Sequence, residues 1–203
     1  MSVPARVGAA ASHWRRYRIL YLVLAVCAAP VLASYYLYYV APPAGRTNYG
    51  ELVQPQRPLP PLALSALDGA PFDTAILRGR WVMLHVDSGQ CGDTCQRKLW
   101  NMRQVRLATG KERDRIERLF LITDDTPLTT LLLREYEGTR FVRAERAELV
   151  RFLELPQVGG TRLEDHVWLI DPLGNLMLRW PPSADPNRMK RDMDRLLRAS
   201  RVG

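Results

Sequence analysis

The sequence has little of what common redox and metal sites are built from. Its 203 residues include only three cysteines and three histidines, and no two cysteines have the C-x-x-C spacing that is typical of redox dithiols. It also has no internal repeat and no low-complexity tract, which excludes a repeat array. The length and composition are those of one globular domain with an additional leader or tail.

Acidic residues are absent from the first 40 positions, which carry four arginines. The net charge of the whole chain is +8, but beyond residue 40 only 25 basic residues stand against 21 acidic ones. That remaining excess is small, and both signs are mixed along the segments. A nucleic-acid-binding module would cluster its basic residues on one face, with aromatic residues between them. We therefore expect no nucleic-acid partner.

Residues 19–40 form a stretch of 22 residues without any charge, long enough for a helix to cross a hydrocarbon core of about 30 Å. Arginines stand immediately before it, and Arg46 follows it, so the positive-inside rule predicts a cytoplasmic N-terminus. Tyrosines near both ends are typical of membrane interfaces. An A-x-A-like segment at residues 31–34 leaves a cleaved signal peptide as the alternative.

These features predict a single-pass protein of a bacterial inner membrane, whose C-terminal domain faces the oxidising periplasm. A Pro-rich stretch after the anchor reads as an extended spacer. The predicted organisation is a basic cytoplasmic segment over residues 1–18, a transmembrane anchor over 19–40, a spacer over 41–57 and a folded domain over 58–203.

Strand-like and helix-like patterns alternate through the outer domain. Buried strands are predicted over residues 81–86 and 118–123, with a helix over 91–109 between them. A helix with Thr126 as N-cap, a short strand at 139–144 and a helix over 145–155 follow. A hairpin over 166–180 and a final helix after Asp185 close the chain. A β-α-β unit followed by a hairpin and a terminal helix is an α/β, thioredoxin-like plan.

Cys91 and Cys95 stand where the first predicted helix of this domain begins. On a helix, positions i and i+4 share one face, so the two sulfurs can meet, and the helix N-terminus stabilises a thiolate. The pair suits a soft metal ion completed by one further ligand, a structural disulfide, or a catalytic dithiol. Disulfide oxidoreductases of this fold place a cis-proline in the loop before the third core strand. Here that loop, residues 157–166, has no proline and ends in His166. His85, inside an apolar strand, reads as a satisfied core histidine.

Two blocks of this sequence, LALSALDGAPFDTAILRGRWVMLHVDSGQCGDTC and EDHVWLIDPLGN, resemble the Sco/SenC family. These are membrane-anchored, thioredoxin-fold copper chaperones that assist assembly of the dinuclear copper centre of cytochrome c oxidase. The resemblance implies Cys91, Cys95 and His166 as copper ligands, with Asp93 and Asp165 as flanking acids. In this chain Gly92 stands where the family has proline.

The resemblance implies a copper-binding assembly factor rather than an enzyme, with copper as cargo and an oxidase subunit as acceptor. An alternative is a periplasmic thiol–disulfide reductase that acts on the oxidase subunit's cysteines, with Cys91 and Cys95 as catalytic residues. A copper-free relative with a permanent disulfide is a third. Reduced cysteines in the periplasm would also need a partner thiol reductant.

Overall fold

The computed structural model describes residues 10–41, 48–153, 160–200 and 202. Within them the chain divides into two compact units, one up to Thr47 and one from Asn48 onward. The first unit contains helix α1 (Ala10–Tyr39), with Pro30 inside it. Its segment Tyr17–Tyr39 has a mean hydropathy of 2.0. By length and composition this segment can cross a membrane, which confirms the predicted N-terminal helix.

The second unit is built on one seven-stranded sheet with the order β1-β7-β6-β3-β4-β5-β2. Strands β3, β4 and β5 run parallel to one another, and every other neighbouring pair is antiparallel. The strand bounds are β1 Glu51–Pro58, β2 Leu64–Ala66, β3 Trp81–Asp87, β4 Ile116–Ile122, β5 Thr139–Ala144, β6 Val167–Ile170 and β7 Asn175–Trp180.

Helices cover both faces of this sheet. Their bounds are α2 Asp93–Ala108, α3 Thr130–Glu135, α4 Arg146–Phe152 and α5 Pro186–Ala199, and short 3-10 helices lie at Thr74–Leu77, Gly110–Arg115 and Leu163–Asp165. The predicted N-cap of α5 is confirmed, since the Asp185 side chain accepts from the Asn187 N–H. Helix α3 begins later than predicted, and its N-cap is Thr129 rather than Thr126.

Alternating side chains of the central strands divide the core into two layers. Trp81 and Met83 of β3 join the side chains of α2 and α5 in what we call the α2 layer. Val82, Leu84 and Val86 face the opposite side, with Leu149 and Phe152 of α4, in the α4 layer. Because strand neighbours point to opposite faces, β3 is buried on both sides, as its apolar run predicts.

The expectation of an unpacked spacer over residues 41–57 is wrong for its second half. Residues 51–58 form β1, which pairs antiparallel with β7 at the edge of the sheet. An edge strand tolerates prolines because its outer N–H groups need no partner. The entry to β1 is fixed by buried Asp192 of α5, which accepts from the N–H groups of Tyr49 and Gly50 and from Trp180 Nε1.

Candidate metal and redox site

Cys91 and Cys95 are bonded to each other, with their Cα atoms 5.1 Å apart. Both are almost fully buried in the α2 layer, with exposed fractions of 1% and 2%. The helix does not begin at Cys91 as predicted. It begins at Asp93 with Gly92 as N-cap, and Cys91 precedes it in a left-handed conformation with φ 38°. The sulfurs therefore meet through a bend at Cys91 rather than along one helix face.

The loop between β3 and α2 is held from both sides. The Gly89 N–H donates to Asp124 Oδ1 at 2.9 Å, and a Cβ at Gly89 would lie 2.3 Å from the Thr126 carbonyl oxygen, so only glycine fits there. The Cys91 carbonyl accepts from Gln96 Nε2 at 3.0 Å. These contacts fix the position of Cys91 at the carboxyl end of the central strands.

Gly92 and Asp93 lie on the solvent side of the disulfide. Gly92 has φ −65°, the value that proline also adopts, and open space around its Cα. The replacement of the family proline therefore leaves the local backbone angle unchanged. Asp93 is exposed in the first turn of α2, where the helix dipole stabilises its carboxylate.

His85 and Asp87 of β3 face Cys95. One ligand atom from each of these three residues lies within 4.8 Å of the other two. His85 Nδ1 lies 3.1 Å from the carbonyl oxygen of His166, and since a carbonyl only accepts, Nδ1 carries the hydrogen in this contact. Nε2 of the neutral ring then presents a lone pair. It has no hydrogen-bond partner and lies 3.5 Å from Asp87 Oδ2, another acceptor.

The interpretation of His85 as a satisfied core histidine is therefore only half right. The ring is fully buried and stacks on Phe120, but its Nε2 has no hydrogen-bond partner and faces the carboxylate of Asp87. Such an arrangement accommodates a proton or a metal cation between the donors. The signal in the sequence was the two-residue spacing of His85 and Asp87, which puts both on one face of β3.

Lys98 of α2 is also buried near this group, with an exposed fraction of 6%. Burial lowers the pKa of its ammonium, while the charges of Asp87 and Asp165 oppose that shift. Burial alone would raise the pKa of Asp87, but the adjacent His85 ring and the hydrogen bond from the Ser88 N–H hold it below its usual value. The neighbourhood of Cys95 thus pairs a buried cation with acids.

The carbonyl of His166 contacts His85, but the ring of His166 has other partners. Its Nδ1 donates to the Trp180 carbonyl at 2.8 Å, its Nε2 lies 3.1 Å from Thr161 Oγ1, and its ring packs edge-on against Trp168 of the α4 layer. Burial lowers its pKa. Among the described residues, Cys95 forms a group of potential metal ligands with His85 and Asp87, and His166 is not part of that group.

Asp165 has a role of its own at the start of the short 3-10 helix before β6. Its Oδ2 accepts from the Arg162 N–H at 2.8 Å. The structure therefore brings the two predicted cysteine ligands together, but it does not bring the predicted histidine ligand to them. The assignment of His166 and of both flanking acids stays a prediction.

Residues 81–200, more than half of the chain, match the sequence model of a family described as transmembrane-like, thioredoxin-like, C-terminal domain. Copper-bound ScoI of Bradyrhizobium japonicum is similar in structure, with a TM-score of 0.51 and 20% identity over 67% of this chain and 97% of that one. Copper-bound yeast Sco1 is similar with a TM-score of 0.54 and 17% identity, over 72% and 91% of the two chains.

A thiol:disulfide interchange protein of the thioredoxin family from Chlorobium tepidum TLS is similar to the same degree. Its TM-score is 0.53 at 19% identity, over 70% of this chain and 97% of that one. No curated protein matches this chain. At such identities the structural similarity shows the fold, and it confirms the predicted thioredoxin-like architecture, including its resemblance to Sco proteins in fold.

Proposed function

Because this chain belongs to the family of transmembrane-like, thioredoxin-like C-terminal domains, we propose that it is a membrane-anchored copper-binding assembly factor. In this proposal α1 holds the protein in a bacterial inner membrane with its N-terminus in the cytoplasm. The second unit faces the periplasm and passes copper to the oxidase subunit that carries the dinuclear copper centre. The similarity to two copper-bound Sco proteins supports copper as the cargo.

The observation that carries the proposal is the position of His85, whose Nε2 has no hydrogen-bond partner and one of whose ring nitrogens lies within 4.8 Å of Cys95 Sγ. Reduction of the Cys91–Cys95 bond by a thiol partner takes up two electrons and two protons and produces two thiols. As those thiols bind a cation they release their protons. Two thiolates and an imidazole are the ligand set that suits copper in both its oxidation states.

The chain offers two histidines for the third position. His166, predicted from the resemblance, would have to leave the Trp180 carbonyl and Thr161 to reach the sulfurs. His85 already faces Cys95, and its Nδ1 contact with the His166 carbonyl orients the ring, as the hydrogen bond of the other ring nitrogen does in metal-bound histidines. The geometry of the described residues favours His85.

Copper titration of the full chain in detergent, after reduction, tests the proposal. We expect one Cu(I) per chain. In His85→Asn the shorter amide can still donate to the His166 carbonyl, but no ligand remains at the Nε2 position, so copper affinity should fall by at least about tenfold. His166→Ala is the matched comparison.

The possible results separate cleanly. If the wild-type chain binds no copper, the assembly-factor proposal is wrong. If it binds copper and only His166→Ala weakens binding, copper binding stands and the ligand is the one that the sequence predicts. X-ray absorption of the loaded chain provides a second readout, since it counts nitrogen and sulfur ligands directly.

The disulfide itself favours one second candidate, a thiol–disulfide reductase acting on the acceptor's cysteines. This candidate needs Cys91 and Cys95 but neither histidine. Exchange requires a thiolate to reach one of the sulfurs, and both are almost fully buried. Fast exchange with a small thiol, unchanged in His85→Asn, would support this candidate over copper binding.

A further inference from the structure

A cavity of about 300 Å³ lies near the carboxyl-terminal half of α2, and neither cysteine of the disulfide lines it. Four arginines contribute to its lining, two from α2, one from β4 and one from α3: Arg103, Arg106, Arg118 and Arg134. Two glutamates, Glu135 and Glu137, complete the charged part of its wall. The lining therefore carries four positive and two negative side chains, which is an excess of positive charge.

Arg118 is the unusual member of this set. It lies on β4 between Ile116 and Phe120 on the α2 face, and only 3% of its surface is exposed. Its Nη2 donates to the Glu137 carbonyl at 2.7 Å. Its Nε and Nη1, which carry three N–H groups between them, have no hydrogen-bond partner. Buried guanidinium groups are normally paired, because an unpaired buried donor costs free energy.

The neighbouring arginines do not relieve this charge; they add to it. Arg106 is held by the Ile116 carbonyl at 2.8 Å, and Arg103 by the Glu135 carbonyl at 3.1 Å. Both remain close enough to Arg118 to act on it electrostatically. Burial, together with the charges of Arg106 and Arg103, lowers the pKa of Arg118 to about 10. Arg118 nevertheless stays charged at neutral pH.

Gly138 keeps the guanidinium of Arg118 in place. It has φ +78°, which favours glycine, and a Cβ there would lie 3.2 Å from Arg118 Nη2. The turn before β5 thus passes close over the arginine and contributes the carbonyl that holds one of its nitrogens. Arg118 itself contributes to the lining, so the cavity lies against a guanidinium whose Nε and Nη1 have no partner among the described residues.

We propose that this arginine cavity binds a small ligand through an oxyanion group with more than one negative charge, such as phosphate. Arginine is the preferred partner of phosphate, because its planar group donates several N–H bonds to neighbouring oxygens. A dianion balances the excess charge of the lining, and a monocarboxylate would balance only part of it. The volume lies at the lower end of small-molecule sites and exceeds what inorganic phosphate alone would fill.

Phosphate titration of the full chain in detergent, in chloride buffer at constant ionic strength, tests this site. The readouts are calorimetric binding and the phosphate-dependent rise in Tm. We expect saturable binding by the wild-type chain. Arg118→Met should weaken it by at least about tenfold, because the buried charge is lost while the apolar stem is kept.

Two further variants keep the test independent of folding. Arg134→Gln changes an exposed lining residue and should also weaken phosphate binding. Arg78→Met changes an exposed arginine outside the lining and should leave it unaltered. Equal phosphate binding by Arg118→Met and the wild-type chain would overturn the proposal.

A parallel titration with glycerol phosphate identifies the source of the anion. Tighter binding of the ester than of inorganic phosphate indicates a small phosphorylated organic ligand. The reverse order indicates the free anion. Both results support the oxyanion site, whereas failure of both probes to bind contradicts it. None of these readouts depends on copper, so the proposed copper function and this site can fail separately.

Discussion

The two ends of helix α2 handle buried charge in opposite ways. At its N-terminal end, buried Lys98 interacts with the acids Asp87 and Asp165, and the sulfurs next to it are joined in a neutral bond. At the other end, buried Arg118 interacts mainly with two further arginines. One end is internally balanced while the disulfide is closed, and the other retains a positive charge that the protein does not neutralise.

This difference indicates how each end meets a ligand. The cysteine end can bind a cation only when its disulfide is reduced, because two thiolates then join the Asp87 carboxylate and the lone pair of His85. The arginine end needs no chemical change, since its unpaired N–H groups are present in the structure as it stands. The fold therefore combines a conditional cation site with a permanent anion site on one face of the sheet.

Loss of one sulfur should have the largest effect, and only at the cysteine end of α2. Cys91→Ser should abolish copper binding by the reduced chain, because one thiolate cannot hold the ion between two sulfurs. In the oxidised protein it should lower the free energy of unfolding by about 2 kcal/mol, the chain-entropy value for so short a loop. Phosphate binding at the arginine cavity should not change. Copper titration, urea unfolding and phosphate titration measure the three effects, and retained stoichiometric copper would contradict the ligand assignment.

Removal of the buried cation at each end of α2 should change the free energy of unfolding in opposite directions. Lys98→Met should lower the free energy of unfolding by about 2 kcal/mol, because it leaves Asp87 without its compensating charge. Arg118→Met should raise it by about 1 kcal/mol in phosphate-free buffer, because it removes an uncompensated charge. Urea unfolding of the oxidised chain measures both. Effects of the same sign would show that the two ends do not differ as described.

The smallest expected effect is a pH dependence that belongs to neither end. Burial lowers the pKa of His166, so the folded chain holds this ring neutral while the unfolded chain protonates it near its ordinary value of about 6.5. Its contribution to stability is therefore present above about pH 6.5 and is lost as the pH falls through the lowered pKa. His166→Gln should flatten the unfolding free energy in this range. An unchanged slope would assign the effect to another group.

Local patterns in the sequence predicted much of this fold. The apolar run of β3, the N-cap at Asp185 and the uncharged span of α1 each depend on neighbours in the chain. Strand β1 could not be predicted in that way, because it is stabilised by β7, more than a hundred residues away. Its prolines are also typical of a spacer, and nothing in the local sequence shows that this segment lies at the edge of a sheet.

The candidate site was predicted in part for similar reasons. The cysteine pairing follows from spacing, but the position of Cys91 depends on a left-handed residue held by the loop around it. The facing of His85 toward Cys95 requires both the alternation of β3 and the placement of α2 over that face. The orientation of His166 toward Trp168 follows from strand alternation, once the start of β6 is known.

The two outer strands of the sheet determine whether copies of the protein can pair edge to edge when they are crowded in a membrane. An unpaired strand edge can recruit a strand from another molecule and begin aggregation. Here β1 carries Pro55 and Pro58, which lack an N–H to offer, and β2 is only three residues long. Neighbouring copies therefore find few backbone groups to pair with, and crowding in the plane of the bilayer should not convert them into extended β-assemblies.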